Sequence, residues 1–382
     1  MRLEPTEIQA AVAATARAYA RDRIAPAAAA NDRRGTFPSE LIRGLGELGL
    51  LAVNVPAEFG GSEAGAVAGA LSMMELAAAD ASVAVIAGVT NMVAETIFRY
   101  GSPEQRTRHL PRLASGEYLA GAFGLSETGA GSDASALATR AARRGQRWVL
   151  DGSKQWITSG DVAGVLVVWA RTDPSLGGGK GVTAFLVEPG MAGFSVGRHE
   201  EKLGQRASST VSLGFDGLEL PDEARLGAVG QGLVIALSAL DGGRIGIAAQ
   251  ATGTMRAALD AASGYARERT TFGKPIAQHQ AIAFMLADMA TSHAAARLMT
   301  LRAASMKEAG LPHSHAAAMA KLFASEASQR VVDRAVQIFG GYGYTEEYPV
   351  AKLFRDARVQ TIYEGTSEIQ RVVIARELLR DA

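Results

Sequence analysis

The sequence predicts an α+β fold in which a helical domain, a β-domain and a second helical domain follow one another along the chain. Segments rich in Ala, Leu and Glu, with apolar residues at helical spacing, fill its first and last parts. Short runs of Val, Leu, Phe and Trp separated by Gly, Asp and Ser fill the middle. The chain has 382 residues, more than the roughly 250–300 at which one hydrophobic core usually stops growing. We therefore expect domains over residues 1–116, 117–227 and 228–382.

The first domain is expected to consist of amphipathic helices joined by short loops. Apolar residues recur at helical spacing through Ile8 to Tyr19 and through Leu41 to Leu51. The segment Gly60 to Ser62 is typical of a loop. Ser102 followed by Pro103 indicates an N-cap and the first residue of a new helix.

The middle domain is expected to be built from hairpins. Asp151-Gly152 is a turn dipeptide that tolerates positive φ, so it predicts a tight hairpin between strands at Trp148 to Leu150 and Lys154 to Thr158. Val165 to Ala170 and Val182 to Val187 are typical of buried strands. The glycine run Gly177 to Gly179 between them is interpreted as a hairpin tip.

Helical spacing returns from Gly230 to the end of the chain, which predicts the second helical domain. Two glycine-containing segments, Gly273 to Pro275 and Gly340 to Tyr344, interrupt its helices.

Composition excludes several classes of function. Thirty-nine basic residues balance thirty-nine acidic ones, and no basic run is typical of nucleic-acid binding. The absence of cysteine excludes disulfides, thiolate metal sites and thiol nucleophiles. Apolar runs such as Val165 to Ala170 fall far short of the ~20 residues of a membrane-spanning helix. With Glu4 and Glu7 near the N-terminus and no apolar signal segment, we expect a cytoplasmic location without membrane insertion.

A glycine-rich segment, Phe123 to Asp133, follows the apolar stretch that ends at Ala122. Its glycines allow backbone N–H groups to turn toward an anion, and Ser126 and Ser132 add hydroxyl donors, which is typical of a nucleotide or flavin site. The third glycine of a dinucleotide fingerprint is absent after Gly131. A glycine-rich turn without a ligand explains the segment equally well.

Two further segments allow more than one interpretation. Trp156 and Thr158 share a face of the predicted strand, where an aromatic plate and a hydroxyl suit the edge of a flat ring. Taken alone, Trp156 is interpreted as a core residue with a bonded indole N–H. Near the C-terminus, Glu364 in the segment Tyr363 to Gln370 is either a cap or charge at a helix N-terminus or a catalytic base. The local sequence leaves both alternatives open.

Together and in this order, the three segments resemble the acyl-CoA dehydrogenase family over essentially the whole chain. Further segments agree with its signatures, namely Leu240 to Gly246, Arg267 to Ile276, and Gln337 to Tyr344 followed by Arg355-Asp356. The resemblance implies N-terminal helices, a central β-barrel-like domain and a C-terminal four-helix bundle that enclose FAD. It also implies an acyl-CoA substrate, a homotetramer built from dimers, and an electron-transfer flavoprotein as electron acceptor.

The resemblance also implies roles for individual residues. Glu364 is the base that removes the α-proton, after which the flavin takes the β-hydride, and we expect burial to raise the pKa of Glu364. Residues implied in FAD binding are Phe123, Leu125, Ser126, Gly131, Ser132, Trp156, Ile157, Thr158, Arg269, Phe272, Gln280, Gln337, Gly340, Gly341, Thr366 and Glu368. Residues implied in acyl-CoA binding are Ser132, Asp241, Arg244, Tyr363 and Gly365.

Within the family, the chain is most similar to the short-chain, butyryl-CoA branch. Some other members carry the base immediately before the arginine that corresponds to Arg244, where this chain has Gly243. Thr128 stands where proline is common and Ala207 where glycine is common, and both departures are expected to alter loop geometry near the site.

The sequence raises three alternatives. The same scaffold also serves acyl-CoA oxidases and flavin monooxygenases, in which reduced flavin reacts with oxygen, and non-catalytic relatives that bind acyl-CoA. The pair His313 and His315 raises a metal site, but it lacks further nearby ligands and is interpreted as a solvated loop. We therefore expect no metal.

Overall fold

The computed structural model describes residues 4–379, so the first three and last three residues of the predicted domain bounds lie outside the described residues. Helices form the N-terminal part. They are α1 (Glu7–Tyr19), α2 (Ala25–Arg34), α3 (Ser39–Glu47), α4 (Gly65–Ala79), α5 (Ala81–Tyr100) and α6 (Pro103–Ala114). A π-helical turn, Ala20–Ile24, joins α1 to α2.

Capping boxes begin two of these helices. Thr6 caps α1 together with Gln9, and Ser102 caps α6 together with Gln105, with Pro103 as the first helical residue. The start of α6 predicted from Ser102 and Pro103 is confirmed.

The middle of the chain forms one eight-stranded sheet. Its strands are β1 (Gly121–Gly124), β2 (Arg140–Arg144), β3 (Arg147–Thr158), β4 (Val165–Arg171), β5 (Val182–Val187), β6 (Phe194–His199), β7 (Thr210–Pro221) and β8 (Arg225–Leu226). Their order is β6-β7-β3-β2-β4-β5-β8, and β1 pairs in parallel with β4. The two strands predicted to be buried are β4 and β5, which pair antiparallel around the predicted glycine tip.

The hairpin predicted at Asp151-Gly152 is wrong, because both residues lie inside the continuous strand β3. The register against β7 shifts between Leu150 and Gly152, which marks a bulge. Gly152 has φ of 144°, and a Cβ there would lie 2.7 Å from the Thr139 hydroxyl oxygen. The glycine therefore serves a bulge with a close neighbour, and the hairpin turn lies instead between β2 and β3.

The C-terminal part returns to helices. They are α7 (Gly232–Glu268), α8 (Gln280–Glu308), α9 (Ser314–Phe339), α10 (Pro349–Ala357) and α11 (Ser367–Leu378), with a small β9–β10 ladder (Thr270–Thr271 and Lys274–Pro275) before α8. Helices α7, α8 and α9 pack on one another, and α11 packs on α9. Helix α4 of the first domain also packs on α7, so one hydrophobic cluster joins both helical domains.

Two helices in the described residues are long and apolar enough to span a membrane by length and composition, namely α5 and α7. The expectation that apolar segments fall far short of that length is therefore wrong for both α5 and α7. The apolar window of α5 has a mean hydropathy of 1.6. The same window is 72% buried inside the protein, where α5 packs against α4, α6 and α7. Its apolar character serves the core.

A buried charge cluster ties the two helical domains together. The Lys352 ammonium on α10 lies 2.8 Å from Asp80, the N-cap of α5, and 2.6 Å from Asp356. Both carboxylates are fully buried. Burial opposes the charge on Lys352, but the two carboxylates outweigh burial and raise its pKa above the usual value.

We predict that Lys352→Met destabilises the protein by about 3–5 kcal/mol, because it leaves two buried carboxylates without their cation. Urea unfolding at pH 7 measures the effect. The matched control is Arg147→Met, which removes an exposed pair with Glu219 and should change the unfolding free energy by less than about 1 kcal/mol. Equal losses in both variants would contradict this assignment.

Candidate active site

Glu364 lies in the short loop between α10 and α11, with a positive φ of 54°. It does not cap the following helix, because the N-cap of α11 is Thr366, whose hydroxyl accepts a hydrogen bond from the Ile369 N–H. The interpretation of Glu364 as a helix cap is therefore excluded. A non-glycine residue in the left-handed region stores strain, which persists only where surrounding contacts enforce it.

Those contacts hold the carbonyl groups of the loop. The Lys321 ammonium on α9 donates to the Gly365 carbonyl at 2.7 Å, and the Gln370 amide donates to the same oxygen at 2.9 Å and to the Glu364 carbonyl at 3.2 Å. Among the described residues, the Glu364 backbone N–H has no acceptor. The loop thus turns its carbonyls into the protein and leaves one N–H available.

Tyr363 anchors the other side of the loop. Its hydroxyl donates to the Gln250 side chain and accepts from the Gln205 amide at 3.3 Å. The Gln205 backbone N–H in turn donates to Asp356. Burial raises the pKa of Tyr363, so the hydroxyl stays protonated. Gln205 itself has positive φ, whereas the neighbouring Ala207 is fully buried and does not, so glycine is not needed there.

The Glu364 side chain is half-buried, and its carboxyl group is incompletely bonded. Its Oε2 atom has no hydrogen-bond partner within the described part of the chain. Burial raises the pKa of Glu364 to about 7, and the nearby charges of Arg244 and Lys321 oppose the shift. Desolvation without a compensating hydrogen bond disfavours the ionised form. The expected rise in the pKa of Glu364 thus follows from the burial of its carboxyl group.

Gly243 on α7 is the residue that makes room for this carboxyl group. A Cβ at Gly243 would lie 2.5 Å from Glu364 Oε2 and 3.1 Å from the Met92 sulfur. Any side chain at Gly243 would collide with the Glu364 carboxyl group. The two chain positions therefore compete for the same space, and here Glu364 occupies it.

Glu364 and Gly243 line a cavity of about 100 Å³ between α4, α5 and α7. Its walls near Glu364 are largely apolar and include Met92 and Ile245. The cavity offers space for a small apolar group next to a carboxylate that lacks a partner.

Arg244 and Asp241 lie on the same turn of α7. The Arg244 guanidinium donates to Asp241 at 2.6 Å, and Asp241 also accepts from the Ser314 hydroxyl at 2.9 Å. Arg244 is buried, and its Nε has no partner among the residues described. Its charge acts on Glu364, so the structure places it beside the carboxylate, whereas contact of this pair with a ligand stays a prediction.

The glycine-rich segment follows β1 and is fixed by a buried ion pair. Lys154 on β3 lies 2.7 Å from Glu127, which also accepts from the backbone N–H groups of Ala138 and Thr139 at 2.6 and 3.0 Å. Thr128, Gly129, Gly131 and Ser132 are exposed on the resulting loop. Phe123 packs on Trp169 and Leu125 is buried, so both side chains belong to the core.

Trp156 is the exception to the regular strand. It has φ of 64° in a second bulge of β3, and its side chain is 61% exposed. The interpretation of Trp156 as a core residue with a bonded indole N–H is wrong. The prediction that Trp156 and Thr158 share a face assumed a regular strand, which the bulge interrupts. The Gln155 N–H donates to the Ser126 carbonyl at 2.9 Å, so the exposed indole lies close to the glycine-rich loop. Ile157 is buried, and Thr158 is half-buried at the strand end.

A second cleft, of about 600 Å³, lies in the C-terminal domain. Arg269, Phe272, Gly340 and Gly341 line it together, whereas Gln280 and Gln337 are exposed outside its lining. Arg269 lies over the Tyr342 ring at 5.7 Å and makes no ion pair in residues 4–379. Phe272 is 96% exposed. The structure does not bring this cleft's residues into the cavity beside Glu364.

Further residues named from the sequence are Gly365, Glu368 and the pair His313 and His315. Gly365 shares the loop with Glu364, and Glu368 is exposed in the first turn of α11. His313 precedes α9 and His315 lies in its first turn, so only His313 is in a loop. Residues 4–379 contain no group of three or more His, Asp or Glu side chains placed to hold a metal ion.

Several residues that shape the site were not predicted from the sequence. They are Lys321, Gln370, Gln250, Gln205 and the pair Glu127 and Lys154. One signal could have indicated Lys321, which is a lone cation at helical spacing from the buried Ala317 and Ala324. A charge within such an alanine stripe has to find a buried partner.

Comparisons with known proteins cover the whole chain. Family models described as the N-terminal, middle and C-terminal domains of acyl-CoA dehydrogenase match residues 6–117, 122–218 and 230–379. The short-chain specific acyl-CoA dehydrogenase of Bos taurus is 46% identical, over 96% of this chain and 89% of that protein.

Two solved structures are similar to this chain over its whole length. The butyryl-CoA dehydrogenase of Megasphaera elsdenii superposes with a TM-score of 0.97 at 42% identity, covering 100% of both chains. A chain from a structure of the electron transferring flavoprotein of Acidaminococcus fermentans does so with a TM-score of 0.98 at 42% identity, again over 100% of both chains.

We predict that Glu364→Gln stabilises the protein increasingly as pH rises. The folded-state pKa of about 7 lies above the ordinary 4.5, so stability from this carboxyl group is present below pH 4.5 and is lost as pH rises through 7. The variant's advantage in unfolding free energy should therefore grow by about 3 kcal/mol between pH 4.5 and 8, since one pKa unit corresponds to about 1.4 kcal/mol. Urea unfolding at both pH values measures it.

The matched control is Glu201→Gln, because Glu201 is exposed and its replacement should give no such trend. A Glu364→Gln advantage that is the same at both pH values would show that the carboxyl group ionises normally.

Proposed function

The chain belongs to the acyl-CoA dehydrogenase family, and on that premise we propose that it converts short-chain acyl-CoA thioesters to trans-2-enoyl-CoA with Glu364 as the base. It is an oxidoreductase that uses FAD. The observation that carries the proposal is the buried Glu364 carboxyl group, which lacks a partner and faces an apolar cavity.

The residues present fit the flavin ring. Trp156 exposes a flat indole that is not part of the core. The neighbouring glycine-rich loop has free space beside its backbone, since a Cβ at Gly129 or Gly131 would meet nothing within 4 Å. Ser126, just after β1, and Thr158, at the end of β3, carry half-buried hydroxyl groups. An aromatic platform, hydroxyl donors and accessible backbone N–H groups suit a large planar heterocycle with polar edges.

The second cleft fits the nucleotide half of FAD. Arg269 has no anionic partner among the described residues, and a guanidinium can bind a pyrophosphate with two parallel hydrogen bonds. Because this cleft lies away from Glu364, we propose that it serves the FAD of a neighbouring subunit in a homotetramer. The exposed aromatic side chains of Phe272 and Tyr344, 96% and 91% exposed, are suited to such an interface.

Proton removal is the step assigned to Glu364. The α-hydrogen of a thioester is weakly acidic, so its removal needs a positioned base of matched pKa. A carboxylate with a pKa of about 7 is a stronger base than an ordinary one, and it is half ionised near neutral pH. Lys321 and Arg244 supply the positive charges that keep the pKa from rising further.

The developing charge on the thioester oxygen needs hydrogen-bond donors. The Glu364 N–H has no acceptor in the described chain, and Lys321 and Gln370 fix the adjacent carbonyls. We assign this N–H as a donor to the thioester carbonyl oxygen, where a fixed dipole stabilises charge without reorganisation. The strained backbone conformation of Glu364, with its positive φ, would thus serve to present this N–H to the substrate.

Bound FAD supplies the acceptor for the hydride that leaves the β-carbon. We propose an electron-transfer flavoprotein as the next acceptor, supported by the similarity to a chain from a structure of such a flavoprotein. Short acyl chains are proposed because the similar proteins are short-chain or butyryl-CoA dehydrogenases. A cytoplasmic location stays a prediction from the sequence.

We predict that butyryl-CoA bleaches the bound flavin anaerobically and that Glu364→Gln slows bleaching at least a thousandfold, because the amide cannot accept the α-proton. Stopped-flow absorbance measures both rates. In the wild-type protein, the bleaching kcat/KM should rise with pH through about 7, the pKa of Glu364. Lys321→Met should move that midpoint to higher pH, since Lys321 lowers the pKa. Full activity of Glu364→Gln would contradict the assignment of the base.

We also predict little oxygen consumption during turnover, because the protein is proposed to pass electrons to a flavoprotein. An oxygen electrode during butyryl-CoA turnover, with and without an added electron-transfer flavoprotein, measures it. Oxygen uptake that matches the rate of enoyl-CoA formation would instead identify an acyl-CoA oxidase on the same fold.

A further inference from the structure

The cavity beside Glu364 has an outer end that reaches solvent and an inner end that is enclosed. The outer end is lined by Arg99, whose side chain is 43% exposed. From there the lining follows α5 inward to Val85 and α7 inward to Gln250, both of which are buried. The Glu364 carboxyl group lies against Gly243, which is inside the lined part of α7. Glu364 therefore lies between the two ends.

The inner end is the part of the cavity that suits an acyl chain. An acyl-CoA thioester carries a charged CoA group on one side of its carbonyl and an apolar chain on the other. The charged phosphates stay near water, because burial without partners is unfavourable. The inner walls include the buried apolar side chains of Val85, Ile247 and Leu76. With the thioester at Glu364, the acyl chain thus extends toward the inner end and the CoA group stays on the solvent side.

Met73 on α4 narrows the inner part of the cavity. Its Cε atom lies 2.6 Å from the position that a Cβ would take on Gly88 of α5, and both residues line the cavity. Gly88 lies inside a helix without a positive φ, so its backbone conformation does not require glycine. The missing side chain of Gly88 instead provides the space that the methyl group of Met73 occupies.

The distance from Glu364 to this point separates short chains from long ones. The Met92 sulfur and the Glu364 carboxyl group both meet the Cβ position of Gly243. Gly88 precedes Met92 by four residues, which corresponds to about 6 Å along the helix axis. At about 1.5 Å per bond, the two carbons of a butyryl chain beyond its α-carbon extend at most about 3 Å, whereas the six of an octanoyl chain extend up to about 9 Å. Only the longer chain reaches Met73.

Met73 obstructs the cavity without closing it permanently. The lining continues past Met73 to Val85 and Gln250, so the cavity does not end there. A methionine side chain is unbranched and has three rotatable bonds, so it can take other conformations. Its rotation away from Gly88 nevertheless disturbs close-packed neighbours, which is unfavourable. A butyryl chain does not require this rotation, whereas an octanoyl chain does.

We propose that Met73, placed against Gly88, limits the length of the acyl chain, so that the protein selects butyryl chains over octanoyl chains. The inference rests on the proposed function, because it assumes that an acyl-CoA binds with its α-carbon at Glu364. Met73 is a specificity-determining residue and takes no part in the transfer of the proton or the hydride.

The test compares Met73→Ala with Met74→Ala. Met74 is the next residue on α4, is buried to a similar extent and lies outside the lining of the cavity, so it is a matched control for the loss of a buried methionine. In the flavin-loaded proteins, the ratio of kcat/KM for octanoyl-CoA to that for butyryl-CoA should rise at least tenfold in Met73→Ala. It should stay within twofold of wild type in Met74→Ala. Equal ratios in the two variants, or a wild-type preference for octanoyl-CoA, would overturn the proposal.

If Met73→Ala does not fold, Met73→Leu replaces it in the test. Leucine has a similar volume, so the core tolerates the exchange, but its side chain is one atom shorter and does not place a methyl group against Gly88. The same ratio should rise at least threefold in Met73→Leu, and an unchanged ratio rejects the proposal.

Binding separates this inference from the proposed function. Calorimetry with butyryl- and octanoyl-CoA on Glu364→Gln, with and without Met73→Ala, gives the ratio of dissociation constants in the absence of turnover. If no acyl-CoA bleaches the flavin but Met73→Ala shifts the binding ratio toward octanoyl-CoA, the function fails and the role of Met73 stands. If butyryl-CoA bleaches the flavin but the binding ratio is unshifted, the role of Met73 fails and the function stands. If neither thioester binds, both fail.

Discussion

The site depends on keeping one carboxylate, that of Glu364, buried and without a partner. Burial raises its pKa to about 7, and that arrangement costs the folded protein stability at neutral pH. The cost is tolerated because the contacts of the loop do not involve the carboxylate itself. Lys321 and Gln370 bind the backbone carbonyls, and Tyr363 is anchored on Gln250 and Gln205. The loop is therefore fixed while the carboxylate stays available.

Close packing of helices creates the space that this carboxylate needs. Gly243 lets Glu364 approach α7, and Gly242 lets the Lys307 ammonium approach the same helix one residue away. Alanines on α4, α7 and α9 allow the two helical domains to share one core. The Lys352 cluster ties α5 to α10, and the chain leads from α10 directly into the loop that carries Glu364. Stability of the domain contact and position of the base are thus linked.

The sequence predicted the order of helices and strands because periodicity and turn residues are local signals. It failed where a tertiary contact decided the backbone, as at Gly152, where a bulge beside Thr139 replaced the expected turn, and at Trp156, where a second bulge exposed the indole. Glu364 was identified through resemblance, whereas Lys321 and Gln250, which bind the neighbouring Gly365 and Tyr363, lie 43 and 114 residues away from it in the chain and carry no local signal for these contacts.

The site works as described only if Glu364 titrates near neutral pH inside the folded protein. Infrared difference spectroscopy of the carboxyl C=O stretch, comparing the wild-type protein with Glu364→Gln between pH 5 and 9, measures this directly. We expect a protonated-carboxyl band that is present at pH 5, is half lost near the pKa of about 7, and is missing from the variant. A wild-type spectrum without a band that titrates in this range would contradict it.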